Sequence, residues 1–203
     1  MIGIIDYGMG NIHSVQKALE SMGEQTIVTN KKGDIKNCDK LVLPGVGAFA
    51  DAVSELKKQD LISAINTHIK SKKIFLGICL GMHLLFEKSE EAKNAKGLGI
   101  LKGQVVRFSG QKGQKVPHMG WNQLKIGARQ CPLLKNIPNN ANVYFCHSYY
   151  PKPANTEIIA ASCDYGNAFS AIVWQDNIYG VQFHPEKSQE VGLAMLKNFV
   201  EIC

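Results

Sequence analysis

Hydrophobic positions in the first half of the chain alternate between a strand pattern and a helix pattern. Ile2–Ile5 is an unbroken apolar run, which is typical of a buried strand. Apolar residues then recur at helical spacing, at Ile12, Val15, Leu19 and Met22. We predict that Asn11 caps this helix and that Gly23 ends it. The alternation continues with predicted strands at 25–29, 40–43 and 74–78 and a helix that begins at Phe49.

The second half changes character, because strand-like runs are separated by glycine, proline and asparagine. These runs cover residues 98–108, 123–126, 143–146, 158–162, 171–174 and 178–183. A final helix is predicted after Ser188, since Val191, Met195 and Phe199 form one apolar stripe. The pattern predicts an α/β fold: a doubly wound, mostly parallel sheet flanked by helices, with additional mixed or antiparallel strands in the second half. No linker or repeat divides the chain, so we expect one domain over residues 1–203.

Composition narrows the class of protein. The chain has 203 residues, of which 45% are hydrophobic and 20% are charged, as in ordinary globular proteins. Residues 1–6 have no basic region of the kind that begins a signal peptide, and the longest apolar run, 74–86, is too short to cross a bilayer. The formal charge of +6 comes from scattered lysines, which argues against nucleic-acid binding. We therefore expect a cytoplasmic protein that binds neither membrane nor nucleic acid.

The sequence predicts neither a metal site nor a cofactor site. The six cysteines lie at positions 38, 79, 131, 146, 163 and 203, and no C-x-x-C pair or other spacing predicts a zinc site or a disulfide framework. Most are expected to be small core residues. Residues 6–11 begin like a dinucleotide-binding fingerprint, but His13 stands where the third glycine belongs. We therefore expect no metal and no cofactor.

A cysteine stands where a buried strand turns into an apolar helix, in the sequence Gly77-Ile78-Cys79-Leu80-Gly81. This is the pattern of a nucleophile elbow, in which the flanking glycines permit a strained turn. At the start of a helix, free N–H groups favour a thiolate and can stabilise an oxyanion. The alternative is a buried structural cysteine at a glycine-rich strand end.

His184 and Glu186 stand on either side of a proline at the end of the last predicted strand. The proline restricts the backbone, so that Glu186 can accept one imidazole N–H while the other nitrogen takes the proton of Cys79. The alternative is a surface histidine beside an acid. The order Cys, His, Glu differs from that of the α/β-hydrolases, whose acid precedes the histidine.

Three more segments are candidates for binding. Residues 43–49 join a strand to a helix and form a candidate oxyanion loop on the same sheet edge as Cys79. Residues 116–122 combine a proline, an aromatic and polar groups, which predicts either a partner surface or a packed corner. Residues 145–150 carry hydroxyls and an imidazole, which predicts either a pocket wall or a polar cluster at a sheet edge.

Together these motifs resemble the glutaminase subunits of imidazole glycerol phosphate synthase, which are class I glutamine amidotransferases. The resemblance is carried by residues 6–11, 43–49, 77–86, 116–122, 145–150 and 180–188. It implies that Cys79 attacks the side-chain amide of glutamine, that His184 protonates the departing ammonia, and that Glu186 orients His184. A water then releases glutamate from the thioester.

The resemblance also implies binding residues and a partner. The oxyanion would lie between the N–H of Leu80 and the loop that contains Gly45, Val46 and Gly47. Glutamine would be held by position 83, where this chain has His83, and by Ser148 and Tyr149. The expected partner is a (β/α)8 cyclase subunit, which forms a heterodimer with the glutaminase and uses the ammonia to build the imidazole ring of histidine. Its expected contacts are Asn11, Pro117, His118, Met119, Trp121 and Asn122.

His83 departs from the family pattern, because members usually carry a substrate-contacting glutamine at that position. An imidazole also donates and accepts hydrogen bonds. Cys146 replaces a commonly aliphatic residue, which we interpret as tolerated packing. Three alternatives stay open: a paralogue that supplies ammonia for nucleotide-sugar amidination, a scaffold subunit without glutamine turnover, and a free-standing cysteine peptidase or γ-glutamyl hydrolase.

Overall fold

The computed structural model describes residues 1–110 and 114–201. Its first half alternates strands with helices, as the hydrophobic pattern predicts. The strands are β1 (Ile2–Ile5), β2 (Thr26–Thr29), β3 (Lys40–Leu43) and β4 (Ile74–Ile78). The helices are α1 (Ile12–Glu20), α2 (Lys32–Asn37), α3 (Phe49–Lys58), α4 (Ile62–Lys70) and the short α5 (Leu80–Leu84).

The second half is mostly β structure and ends in a long helix, α6 (Gln189–Glu201). Its strands are β5 (Lys88–Ser89), β6 (Ala92–Lys96), β7 (Gly103–Arg107), β8 (His118–Gln123), β9 (Lys125–Ile126), β10 (Asn142–His147), β11 (Tyr149–Pro153), β12 (Ile159–Asp164), β13 (Ala168–Gln175) and β14 (Ile178–Val181). Short 3-10 turns lie at Pro132–Leu134, Thr156–Ile158 and Pro185–Lys187. None of the helices within residues 1–110 and 114–201 has the length and apolar character needed to span a membrane.

In the described part of the chain, eight strands form one sheet in the order β2-β1-β3-β4-β14-β13-β12-β9. The strands from β2 to β14 in this order run parallel, with Leu43 opposite Gly77 and Ile78 opposite Val181. Beyond β14 the pairing is antiparallel. Smaller sheets pair β8 with β10 and order the others as β11-β7-β5-β6. The predicted fold class, a mostly parallel α/β sheet with added antiparallel strands, is confirmed.

Both faces of the large sheet are covered, because side chains alternate along each buried strand. One face packs against α1 and α6 through Ile4, Val42, Leu76, Leu19 and Phe199. The other packs against α3 and α4 through Ile5, Leu43, Phe75, Val53 and Ile65. Burying one such side chain stabilises the fold by about 1.5–3 kcal/mol. Two apolar layers therefore hold the strands in place beneath the loops at their carboxyl ends.

Some elements differ from the sequence predictions. The hydrophobic pattern does not predict α2, α4, β5, β6 or β11. Residues 118–122 belong to β8 and not to a loop, since they pair with β10. Asn11 precedes α1 without a side-chain cap bond, and the Ser188 hydroxyl donates to the carbonyl of His184.

The cysteines largely behave as the sequence analysis predicts. Buried positions in the described part of the chain are Cys38, Cys79, Cys131 and Cys163. Cys146 is exposed. Cys203 lies outside the described residues.

The turn between β4 and α5 presses its backbone against β3. A Cβ atom built on Gly81 would overlap with the carbonyl oxygen of Leu43. We expect Gly81→Ala to lower the free energy of unfolding by about 3 kcal/mol or more, because the backbone of β3 has to move. Urea denaturation measures this change. Gly33→Ala is the matched control, since no atom lies within 4 Å of its added carbon.

The control variant should change the free energy of unfolding by no more than about 1 kcal/mol. Equal stability of the two variants would contradict the close approach of the turn to β3.

Candidate active site

Four neighbouring parallel strands end at one edge of the sheet, and each leads into a segment that the sequence marks as a candidate. β1 leads into residues 6–11, β3 into residues 44–47, β4 into Cys79, and β14 into residues 182–186. The segments converge because parallel strands share their direction. The last three contribute to a cavity of about 360 Å³ that contains Cys79 and His184.

Cys79 occupies a strained turn. Its φ of 52° and ψ of −107° lie outside the conformations that a cysteine ordinarily adopts, at a cost of about 1–3 kcal/mol. The Cys79 N–H donates to the carbonyl of Val181 at 2.8 Å. Gly77 is needed before the turn, since a Cβ there would lie 2.6 Å from the carbonyl oxygen of Gly81. The structure therefore builds the predicted elbow, although α5 has only five residues.

His184 and Glu186 meet through a 3-10 turn and not through an extended segment. Nδ1 of His184 lies 3.0 Å from Oε1 of Glu186, and the two side chains are 5% and 1% exposed. Ser188 braces the segment, because its hydroxyl donates to the carbonyl of His184 at 2.7 Å and accepts the N–H of Tyr144 at 3.0 Å. The imidazole therefore has a fixed orientation.

Cys79 interacts with the His184 imidazole and contributes to its pKa. Since Glu186 occupies Nδ1, Nε2 is the nitrogen left for Cys79. Burial by itself lowers the pKa of His184, but the hydrogen bonds and charges of Cys79 and Glu186 outweigh burial and raise the pKa to about 10. The imidazole thus keeps its proton at neutral pH beside Cys79. These three residues form a triad.

The candidate oxyanion loop lies beside the nucleophile but directs a carbonyl oxygen at α5. The carbonyl of Gly45 accepts the N–H of Leu80 at 3.3 Å, and this N–H is the donor that the resemblance assigns to the oxyanion. Val46 and Gly47 line the cavity, and Gly47 has a φ of 100°. The Leu80 N–H is therefore already hydrogen-bonded to the Gly45 carbonyl of the same chain.

Asn11 is half-buried beside this loop, at the start of α1. The segment that precedes it contacts the loop directly. The Tyr7 hydroxyl donates to the carbonyl of Pro44 at 3.0 Å, and a Cβ built on Gly47 would lie 2.8 Å from Cε of Met9. The segment that leads to Asn11 is therefore packed against the oxyanion loop.

His83 lines the cavity and is hydrogen-bonded to Gln182, a residue of the 180–188 motif to which the sequence analysis assigns no role. Nε2 of His83 lies 2.7 Å from Oε1 of Gln182, and Nε2 of Gln182 lies 3.8 Å from Sγ of Cys79. Burial lowers the pKa of His83 to about 4, although the bond to Gln182 acts in the opposite direction. Strand alternation could have indicated Gln182, because it stands two positions before His184.

Ser148, Tyr149 and Glu91 line the cavity beyond the triad. No sequence motif marks Glu91, which lies between β5 and β6. Its Oε2 accepts the N–H of Phe49 at 3.2 Å; burial raises its pKa, and the bond from Phe49 partly offsets this. Within residues 1–110 and 114–201, no cluster of three or more His, Cys, Asp or Glu side chains is arranged to hold a metal ion.

β8 and β10 form a two-stranded ribbon with one exposed face. Met119 and Trp121 are 61% and 49% exposed, and their cross-strand partners are Cys146 and Tyr144. The rings of Trp121 and Tyr144 are in edge contact at 5.9 Å. Tyr144 and Cys146 also line the cavity, as does the exposed Pro117. The exposed face of the ribbon is therefore continuous with the cavity wall.

His118 and Asn122 point to the opposite face of the ribbon; the burial of His118 corrects its expected place in a partner surface, whereas Asn122 is half-buried. His118 is 3% exposed, and its ring stacks on those of Phe145 at 4.9 Å and Tyr165 at 4.0 Å. Burial lowers the pKa of His118 to about 4, so it adds no charge at neutral pH. Asn122 donates to the carbonyl of Asp164 at 2.8 Å. Alternation along a strand separates these side chains from the exposed ones.

The fold and the triad define a cysteine hydrolase with its nucleophile on an elbow at the carboxyl edge of a parallel sheet. The family model described as glutamine amidotransferase class-I matches residues 3–203. Relatives named imidazole glycerol phosphate synthase subunit HisH match along the whole chain. That of Syntrophotalea carbinolica is 50% identical over 98% of both chains, and that of Methanocaldococcus jannaschii is 46% identical over 100% of both. The chain belongs to the class-I glutamine amidotransferases, in the HisH branch of that family.

Solved structures agree on the fold. A crystal structure of a glutamine amidotransferase superposes with a TM-score of 0.77 at 17% identity, covering 98% of this chain and 97% of that one. The PurLQS complex from Thermotoga maritima contains a chain that superposes with a TM-score of 0.75 at 18% identity, covering 98% and 96%. At these identities the likeness concerns the fold alone.

Glu186 should control the protonation of His184. We expect the His184 imidazole to be protonated at neutral pH and to lose its proton at a lower pH in Glu186→Gln than in the wild type, because a charge that raises its pKa is removed. NMR titration of the imidazole nitrogen signals measures both midpoints. Glu190→Gln changes an exposed acid at the start of α6 and is the matched control. Identical titrations of Glu186→Gln and the wild type would contradict the assignment.

Proposed function

We propose that this chain hydrolyses glutamine to glutamate and ammonia and delivers the ammonia to a (β/α)8 cyclase subunit that makes imidazole glycerol phosphate in histidine biosynthesis. The observation that carries the proposal is the triad: Cys79 on a strained elbow, in the same cavity as a His184 that Glu186 orients. Similarity to HisH subunits over the whole chain supports the histidine pathway. The proposed enzyme is one domain, residues 1–203, which works in the cytoplasm as part of a heterodimer.

The first half of the reaction forms a thioester. The Cys79 thiolate adds to the carbonyl carbon of the glutamine side chain, and the electrons of the C=O double bond move to oxygen. The protonated His184 then gives its proton to the amide nitrogen, the C–N bond breaks, and ammonia leaves. The glutamyl group remains bound to the sulfur.

The second half of the reaction releases glutamate. His184, now neutral, takes a proton from water while the water oxygen attacks the thioester carbonyl. The C–S bond breaks, its electrons return to Cys79, and the imidazole is again protonated. Glu186 keeps its hydrogen bond to Nδ1 throughout and stabilises the imidazolium.

The cavity has the groups needed to recognise an amino acid. Glu91 provides a carboxylate for the α-ammonium group of glutamine. Ser148 and Tyr149 lie on the cavity wall and provide donors for its α-carboxylate. A substrate held at both ends places its side-chain amide beside Cys79.

We propose that the oxyanion loop gates the reaction. While the Gly45 carbonyl accepts the N–H of Leu80, that donor is not available to the oxyanion. Rotation of the peptide between Gly45 and Val46 would withdraw the carbonyl and turn the Val46 N–H towards the same place. Losing one oxyanion donor typically costs about 10²–10³ in rate, so this rotation could switch hydrolysis on.

The exposed ribbon face supports the proposed position of the cyclase. Met119 and Trp121 form an apolar patch beside the cavity, as expected of an interface core. Because Tyr144 and Cys146 belong to both the patch and the cavity wall, ammonia has a short route to a partner docked there. Asn11 lies next to the oxyanion loop, so the same partner can influence the gate.

Removal of the nucleophile should abolish hydrolysis. We expect Cys79→Ala to reduce the rate at least about 10⁴-fold with the fold intact, because no other group can form the thioester. Glu186→Gln should reduce it less than His184→Ala, since the base is still present. Glutamate release from the complex, with circular dichroism as the control for folding, measures all three. Substantial hydrolysis by Cys79→Ala would eliminate the proposed mechanism.

Activity should depend on the partner. We expect weak glutamate release from the isolated chain and stimulation of about 10²–10³-fold by the cyclase subunit with its ribonucleotide ligand bound. Asn11→Ala combined with Trp121→Ala should lose most of this stimulation, whereas Lys70→Ala, an exposed change at the end of α4, should not. Full activity of the isolated chain would refute the gate and favour a free-standing hydrolase.

A further inference from the structure

The nucleophile has a second hydrogen-bonded neighbour in addition to His184. Gln182 is completely buried, and its Nε2 lies 3.8 Å from Sγ of Cys79. Its Oε1 lies 2.7 Å from Nε2 of His83. The main chain of Gln182 is held by β13, because its N–H donates to the carbonyl of Ala171 at 2.9 Å. The oxygen and the nitrogen of the Gln182 side-chain amide therefore each have a hydrogen-bond partner.

The two hydrogen bonds of the Gln182 amide share one donor-to-acceptor order, from His83 to Gln182 and from Gln182 to Cys79. His83 is neutral at physiological pH, since burial lowers its pKa to about 4. In a neutral imidazole one nitrogen donates and the other accepts. With Nε2 as the donor, Oε1 of Gln182 is the acceptor, and the amide NH2 of Gln182 faces the sulfur. An N–H donor stabilises a thiolate more than a thiol.

We propose that Gln182 is a catalytic residue that donates an N–H to the Cys79 thiolate, and that His83 is a positioning residue that holds the Gln182 amide in the donating orientation. A glutamine amide that is not held can present its oxygen instead, which would repel the thiolate. His83 therefore acts on the nucleophile through Gln182. The inference rests on the proposed function, in which Cys79 is the attacking group.

The other titratable groups near Cys79 come from different elements. His184 follows β14 and carries a proton, and Glu186 lies behind it. Tyr7 follows β1, and burial, with a smaller contribution from Cys79, raises its pKa, so it is neutral. Substitutions at positions 182 and 83 leave these groups in place, so a change in thiolate formation is attributable to the lost donor.

Gln182→Met tests the donor, because methionine keeps the length of the side chain without an N–H. The readout is the pH dependence of Cys79 alkylation by iodoacetamide in the full chain, followed by the mass of the peptide that contains Cys79. We expect the midpoint to rise by about one pH unit, which is a tenfold loss of thiolate at pH values below the midpoint. The turnover number with the cyclase partner should fall about tenfold in the same pH range, with little change in the Michaelis constant.

His83 is tested through the same readout. His83→Leu should raise the midpoint, and His83→Gln should restore it, because its amide can donate to Oε1 of Gln182. The double variant of Gln182→Met and His83→Leu should shift the midpoint no further than Gln182→Met alone, since His83 acts through Gln182. Additive shifts would overturn the positioning role.

Asn177→Leu is the matched control for loss of a buried amide. The Asn177 amide donates to the carbonyls of Ile69 and Lys73, away from Cys79, so the alkylation midpoint should not move.

If Gln182→Met fails to fold, Gln182→Glu replaces the donor with an isosteric acid and should raise the midpoint by more than is expected of Gln182→Met. An unchanged midpoint in whichever variant folds overturns the inference. If the variants show the shifts but the wild-type complex releases no glutamate, the proposed function is overturned instead.

Discussion

The parallel pairing of β4 with β3 on one side and β14 on the other is the constraint on which the site depends. It sets Leu43 opposite Gly77 and Ile78 opposite Val181, so the oxyanion loop, the nucleophile and the histidine leave the sheet side by side. The N–H of Cys79 is bonded across this pairing. A slip of one residue would turn every side chain of β4 to the other face and dismantle the elbow.

A strained turn persists only where the surrounding structure determines it. Here the apolar layers on both faces of the sheet fix the strands, so the chain can turn at Cys79 from β4 into α5 in only one direction. The result is a nucleophile with donors on two sides, His184 and Gln182, whereas the Leu80 N–H is bonded to the Gly45 carbonyl. In the proposed mechanism, such a site combines a nucleophilic sulfur with an oxyanion hole that is not yet formed.

The β8–β10 ribbon links this chemistry to the surface. Strand alternation gives it one face of exposed apolar residues, including Trp121, and one face of buried rings, including His118. The buried face anchors the ribbon on the core, and the exposed face continues into the cavity wall. A partner bound on this face would therefore meet the reaction site without a long conformational relay.

The sequence by itself determined the buried strands β1, β3 and β4, because their apolar runs are stable only inside the protein. It also indicated the three triad residues, because short local motifs mark Cys79 and the pair His184 and Glu186. It did not reveal β6, because Ala92–Lys96 is a polar edge strand without alternation. Tertiary structure decided the contact of His83 with Gln182 and the orientation of the Gly45 carbonyl. The physical reason is that periodicity records which face a side chain takes, whereas contacts between distant segments depend on strand register and packing.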